Sequence, residues 1–446
     1  MSDNNKLIKN NQIEDIRNVE NEQFKRFSII IHSIRAISIF LIVIFHMSYW
    51  FSNIRYHSNV SVLRIFDYGN IGVDLFFFLS GMLLTINILN RGVENHSWSD
   101  WYKRRIIRIF PAYWIMSSII IVSLFITNHY FELSHILVNF SGFQMIPIKN
   151  PNFEFIHFIY WYITAILFCY LLFPIMFNAI RKNFKAITIV GIILFVLFIF
   201  YFSSFLLISL YISKNLLNFE LQIFIFGFFI IKFFVFFFGV VFGYWIGDNN
   251  MENLEKIYET KIGITLFIIL VVLLLLSFFG YFGKNLLFFM FPVISFVFIP
   301  FSLFFFNKFY KINELLTYFG KRSYEIYLVH HFSFLLISYT LFNLFFLPSN
   351  PISDLIMIPI FLFLVLIFAH FLNRIADLIS QQKKFYPYII ILAISFFLFA
   401  LISIFIPFYI GFYLSLFIYT SILIILLLNH KRRCVNLKKS QEIHIN

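Results

Sequence analysis

The chain is built of one apolar stretch after another, each about twenty residues long and separated by short polar connectors, and that repetition limits its fold more than any single motif. Such stretches lie near 28–50, 71–90, 107–127, 156–178, 186–213, 221–247, 262–282, 285–307, 323–347, 352–373, 386–408 and 410–428. A helix of roughly 20 apolar residues crosses the hydrocarbon core and bonds all of its own backbone groups, which an isolated strand does not. Only 12% of the residues are charged, where a soluble domain carries about 25%. The expectation is an all-α polytopic protein of the cytoplasmic membrane, a bundle of about 10–12 transmembrane helices whose lipid-facing surface is the bilayer's direct partner. The 69 Phe read as lipid-facing bulk and carry no functional meaning. The last two stretches are the weakest pair, because "FIPFYIG" leaves almost no loop between them.

Lys and Arg concentrate in the cytosolic loops of membrane proteins. With a cytosolic N-terminus, the outward segments hold only Arg55, Arg64, Lys149, Lys214 and Lys284, and Arg35 and Lys232 lie inside apolar runs. All the other bases fall in inward segments, at 1–27, 91–108, 181–185, 256–261, 308–322, 374–384 and 431–439. Both termini are therefore expected in the cytosol. The net charge of +13 then follows from topology, and no nucleic-acid partner is implied. Residues 1–27 read as a polar cytosolic tail, with Lys6, Lys9, Arg17, Lys25 and Arg26 against Asp3, Glu14, Asp15, Glu20 and Glu22. The two cysteines, Cys169 and Cys434, differ too much in setting to suggest a disulfide or a zinc site. The largest connectors, 51–70 and 128–155, are too short for a separate catalytic domain.

Ionisable side chains inside a spanning helix cost about 2.5–3.5 kcal/mol each on insertion scales, so each is a functional candidate. In "IHSIRAISIFLIVIFHMSYW", Arg35 and His46 fall within about 20° of one helix face and about 16 Å apart along it. His32 and Ser38 flank that face. Arg35 reads equally as an interfacial arginine snorkelling to the cytosol, and His46 as a histidine at an outer helix end. Asp74, in "GNIGVDLFFFLSGMLLT", is expected at the depth of His46. It reads either as the carboxylate that orients that imidazole or as an outer-interface residue solvated by headgroups. Gly81 shares its face and admits the close approach of another helix or a ligand. At the cytosolic surface "WYKRRIIRIFPAYW" clusters Lys103, Arg104, Arg105 and Arg108 before Pro111. This is ordinary inward charge, but it lies at the depth of Arg35, and paired guanidinium groups grip phosphates. In "GKRSYEIYLVHHFSF", Ser323, Tyr327 and His330 share a face, and His331 reads as packing. Trp161 and Tyr170 in "WYITAILFCYLLFP" read as aromatic packing or as pocket lining.

These motifs, in this order, resemble the membrane acyltransferase-3 family, whose members O-acylate cell-surface carbohydrates and some antibiotics or lipids. Arg35 and His46 match its arginine, ten-residue, histidine spacing, and "GVDLFFFLSG" with Ser80 matches its Phe-Phe-x-x-Ser-Gly segment. "RRIIRIFPAYW" matches its arginine pair before a proline, "FFVFFFGVVFGYW" its glycine-containing sixth helix, and "YFGKRSYEIYLVHH" its Gly-x-x-Ser-Tyr-x-x-Tyr-Leu-x-His segment. The resemblance places the family domain at 28–375 and leaves 376–446 as one or two added helices with a basic cytosolic tail. Ile166 and Leu167 stand where many relatives carry acids, so no acid/base role is expected there.

The resemblance implies transfer of an acyl group from a cytosolic acyl-CoA, acetyl-CoA first among candidates, to a hydroxyl of a cell-surface carbohydrate or lipid-linked glycan. His46 is then the general base, and Asp74 its orienting partner. Arg35, Arg105 and Arg108 hold the donor's phosphates, and Ser80, Trp161, Ser323, Tyr327 and His330 are further pocket candidates. No bound cofactor and no metal is expected. Two rivals remain at this point. A polysaccharide flippase or other transporter would use the intramembrane Arg, Asp and His to line a path. A haem or quinone protein would use His46, His330 and His331 as ligands.

Overall fold

The computed structural model describes residues 2–49, 69–93, 96–126, 133–142, 154–212, 217–248, 252–278, 284–337 and 351–381, with a few positions between 386 and 393. Among these residues every regular element is helical. Among the described residues, eight helices are long and apolar enough to cross a membrane: Glu22–Met47, Ile71–Arg91, Trp98–Val122, Tyr160–Lys182, Phe184–Tyr201, Phe229–Gly247, Phe291–Lys308 and Pro359–Ile379. The expected stretch at 262–282 is represented by the shorter apolar helix Thr260–Leu275, and that at 323–347 by the helix Ser323–Ile337. The pair at 386–408 and 410–428 lies almost wholly outside the described residues.

In chain order the helices are α1 (Ser2–Tyr49), α2 (Ile71–Arg91), α3 (Trp98–Ile126), α4 (Leu133–Ser141), α5 (Glu154–Lys182), α6 (Phe184–Ile212) and α7 (Leu217–Gly247). They continue as α8 (Glu252–Tyr258), α9 (Thr260–Phe278), α10 (Lys284–Lys308), α11 (Asn313–Lys321), α12 (Ser323–Ile337) and α13 (Pro351–Gln381). The polar stretch expected as a tail is helical and continuous with the first span. Neither Gly nor Pro occurs in the first 49 residues, so nothing in that sequence breaks a helix once it has begun. The chain divides into two compact units, Met1–His96 with Phe168–Leu366, and Ser97–Leu167 with Ile367–Asn446.

In the first unit, backbone contact at glycine sets the spacing of the helices. A Cβ on Gly81 would overlap the carbonyl oxygen of Phe236, one on Gly239 that of Phe78, and one on Gly243 that of Met82. Helices α2 and α7 therefore touch main chain to main chain, as small residues permit in a medium that offers no hydrophobic drive to associate. Helix α1 is seated in the same way. Gly72 abuts the carbonyl of Ser38, Gly69 that of Leu41, and Gly320 that of His32, while the rings of Phe40 and Phe319 meet edge to face at 5.1 Å. At the start of the α1 span, Arg26 donates to the carbonyl of Asn307 (3.0 Å) and Gln23 to Glu255 (3.1 Å). The N-terminal segment and the segments around 255 and 307–322, all expected inward, thus gather at one end of this unit.

In the second unit, α4 is tied to its neighbours by hydrogen bonds. Tyr113 donates its hydroxyl proton to the carbonyl of Asn139, Trp114 Nε1 donates to the carbonyl of Phe140 (2.8 Å), and Thr164 donates to the carbonyl of Gly142 (2.7 Å). Gly142 lies at φ +77°, in the left-handed region where a glycine is least strained. These bonds answer carbonyls freed where α4 ends, which in an apolar medium must find partners.

Candidate active site

His46 occupies the last turn of α1, and it is half-buried. Seating α1 by Gly320 and Gly72 brings its end against α12, where His46 meets two more imidazoles. The ring centroids are 5.1 Å apart for His46 and His330, 4.4 Å for His46 and His331, and 4.2 Å for His330 and His331. One nitrogen from each ring lies within 4.8 Å of the others. His330 is fully buried, and its Nδ1 stands 2.6 Å from the carbonyl oxygen of Tyr327. A carbonyl only accepts, so Nδ1 carries the proton and Nε2 presents the lone pair. Among the described residues, the Nε2 atoms of His330 and His331 are buried and have no hydrogen-bond partner. Of the sequence candidates, the fold thus joins His46 with His330 and adds His331, which the sequence reading treated as packing.

Asp74 does not join this group. Helices α1 and α2 run antiparallel in a register that sets Gly69 beside Leu41 and Gly72 beside Ser38. Two residues further on, Asp74 is level with Ala36, about 15 Å along the axis from His46. The expectation of equal depth is corrected by that register. The carboxylate is wholly buried, and both of its oxygens accept from Lys232 Nζ, at 2.8 and 2.9 Å. Lys232 is the polar residue whose role the sequence left open. It was visible as a base inside an apolar run, but its partner lies 158 positions away, beyond the reach of any local pattern.

Arg35 is half-buried on α1, three helical turns before His46 on the same uninterrupted helix. Ser80 is half-buried beside Gly81 on α2. Ser323 begins α12 and is buried, as is Tyr327, whose backbone anchors His330. The remaining candidates belong to the second unit. Arg105 lays its guanidinium over the Trp101 ring at 5.6 Å, a cation–π contact one turn back along α3. Arg108 is exposed. Trp161 directly follows a non-helical residue, Tyr160 (φ −114°, ψ 19°), that breaks α5.

A family model described as an acyltransferase domain matches residues 29–374. The chain belongs to the acyltransferase-3 family. No curated protein and no solved structure matches it. The family match makes this a membrane acyltransferase, and it spans both the α1 helix that carries Arg35 and His46 and the α12 helix that carries His330 and His331. In this acyltransferase the first unit holds, besides Arg35, a trio of imidazoles at the end of α1 and a closed ion pair between α2 and α7.

Proposed function

We propose that this acyltransferase moves an acyl group, acetyl first among candidates, from a cytosolic acyl-CoA to a hydroxyl of a cell-surface carbohydrate or lipid-linked glycan. His46 takes the proton from the acceptor hydroxyl as its oxygen attacks the thioester carbonyl, and the CoA thiolate departs. A thiol with a pKa near 8.5 leaves readily, so little acid assistance is required. Arg35 holds phosphates of the donor at the inward part of α1. The second unit's Arg105 and Arg108 are read as phosphate-binding residues on the strength of their sequence pattern. Both termini of the chain lie in the cytosol in this reading.

The observation that carries the proposal is one unbroken helix bearing Arg35 and His46 about 16 Å apart on one face, within a chain of acyltransferase family. Asp74 has no part in the chemistry. Its carboxylate is committed to Lys232, and the pair fastens α2 to α7.

The test is to express His46→Ala and the unaltered protein in cells lacking the gene and to measure ester-linked acyl groups on surface glycans and lipids by mass spectrometry. A general base contributes about 10²–10⁴-fold in rate. The variant should reach the membrane in normal amount and lose the acyl group. An unchanged acyl content rejects His46 as the base. Transport of an unmodified glycan that stops in the variant, with no acyl product in either strain, rejects acyl transfer to these acceptors in favour of a transporter.

A further inference from the structure

Three imidazoles that converge without hydrogen-bonding one another need a common partner. A buried nitrogen left unpaired costs about 1–3 kcal/mol, and the Nε2 atoms of His330 and His331 are both in that condition. Neighbouring rings do not relieve it by themselves. A neutral imidazole has one donor and one acceptor, and His330 has already committed its donor to Tyr327. His330 is therefore left with a lone pair on Nε2, and His46 and His331, as neutral imidazoles, each have one lone pair to offer beside it.

We infer that His46, His330 and His331 form a binding site for a borderline divalent transition metal, of which Zn2+ is the type. Imidazole nitrogen suits Zn, Cu and Ni, and three histidines with one open position is an established zinc donor set. The geometry is close to what such an ion needs. Zn–N bonds of about 2.0–2.1 Å place tetrahedral donor atoms about 3.3 Å apart, and the three nitrogens here lie within 4.8 Å of one another. Closing that gap takes a shift of under about 1 Å per ring. The outer support is also present for one ligand. His330 Nδ1 donates to the Tyr327 carbonyl at 2.6 Å, the kind of contact that fixes the tautomer and orientation of a metal-bound imidazole.

The site has a functional consequence that rests on the reading of His46 as the base. A lone pair donated to a metal is not available to accept a proton. Metal-bound and catalytically competent forms of His46 exclude each other, so Zn2+ inhibits acyl transfer. His331 supplies the third metal ligand.

The experiment uses the full chain purified in detergent micelles. Equilibrium dialysis against Zn2+ should give about one ion per chain, and Co2+ should give the visible absorption bands of a tetrahedral nitrogen site. X-ray absorption of the Zn2+-loaded, unaltered protein should count three imidazoles, which keeps the assignment independent of whether any variant folds. His331→Gln should lose stoichiometric Zn2+ binding, and its acyl transfer should resist Zn2+ at concentrations that inhibit the unaltered protein. Fewer than three imidazoles on the ion, or equal Zn2+ binding after His331→Gln, overturns the site. Zn2+ held by all three imidazoles with undiminished acyl transfer preserves the site and rejects His46 as the base. Loss of transfer in His46→Ala, without stoichiometric Zn2+ binding by the unaltered protein, rejects the site and preserves the base.

Discussion

Lys232 Nζ lies 2.8 and 2.9 Å from the two carboxylate oxygens of Asp74, and neither side chain is exposed beyond 1%. Two opposite charges taken into an apolar interior are tolerable only together. Removing one leaves the other charged and unpaired, at a cost of about 3–5 kcal/mol, whereas replacing both with apolar groups is often close to neutral. Asp74→Ala and Lys232→Met should each lower the melting temperature in detergent strongly, and the double variant Asp74→Leu/Lys232→Met should recover most of the loss. Thermal aggregation followed by size-exclusion chromatography measures it. Additive losses in the double variant would show that the two residues act separately.

Main-chain contact at glycine makes a sharper prediction than glycine content alone. A methyl group on Gly239 or Gly320 would overlap a backbone carbonyl, of Phe78 and His32 respectively, and backbone does not move aside as a long side chain does. Gly92 is a useful contrast. A Cβ there meets nothing within 4 Å among the described residues, so the obstacle to alanine is its backbone, φ +80° and ψ 122°, worth about 1–3 kcal/mol. Gly239→Ala should destabilise far more than Gly92→Ala in the same melting assay. Gly320→Ala should also reduce acyl transfer, because α11 leads directly into the helix that carries His330 and His331.

The contrast between Asp74 and His46 shows what a sequence of this kind makes legible. Apolar runs separated by polar connectors identify a helical membrane protein because span length is a property of contiguous residues. The α1 face linking Arg35 to His46 is legible for the same reason, since helical geometry fixes it once the segment is known to be unbroken. Relations between helices are different. The depth of Asp74 depends on which carbonyl Gly72 meets, and the grouping of His46 with His330 and His331 depends on Gly320 docking on His32. A local period carries no such information. Lys232 announced itself as expensive, but only packing names its partner.

The second unit makes its own prediction. Tyr113 places its hydroxyl on Asn139 and its ring edge to face with Tyr160 at 5.5 Å. Tyr113→Phe keeps the ring and removes the donor from a buried carbonyl, a loss of about 1 kcal/mol. Tyr113→Ala also removes the packing, at about 3–5 kcal/mol. Melting curves should rank the unaltered protein, Tyr113→Phe and Tyr113→Ala in that order. Equal losses in the two variants would assign the whole effect to the ring.

The gathering of residues 23–26, 255 and 307–322 at one end of the first unit makes the proposed topology testable at a single site. Lys311 is exposed in that group. A cysteine placed there, in a chain whose Cys169 and Cys434 are changed to Ser, should react with a membrane-impermeant maleimide only after the cells are permeabilised. Labelling in intact cells would invert the proposed orientation and place Arg35 away from any cytosolic donor.

Arg35 distinguishes recognition of a phosphate from a mere requirement for charge. A guanidinium offers two parallel N–H donors to one phosphate, and an ammonium does not. A group that binds donor and transition state alike raises KM for the donor when weakened, with kcat nearly unchanged. Arg35→Lys should therefore raise the donor KM while His46→Ala lowers kcat, and Arg35→Ala should exceed Arg35→Lys in the same direction. Shortening the donor to an acyl thioester without the nucleotide phosphates should erase the difference between the unaltered protein and Arg35→Lys. If the difference persists with the shortened donor, Arg35 contacts something other than phosphate.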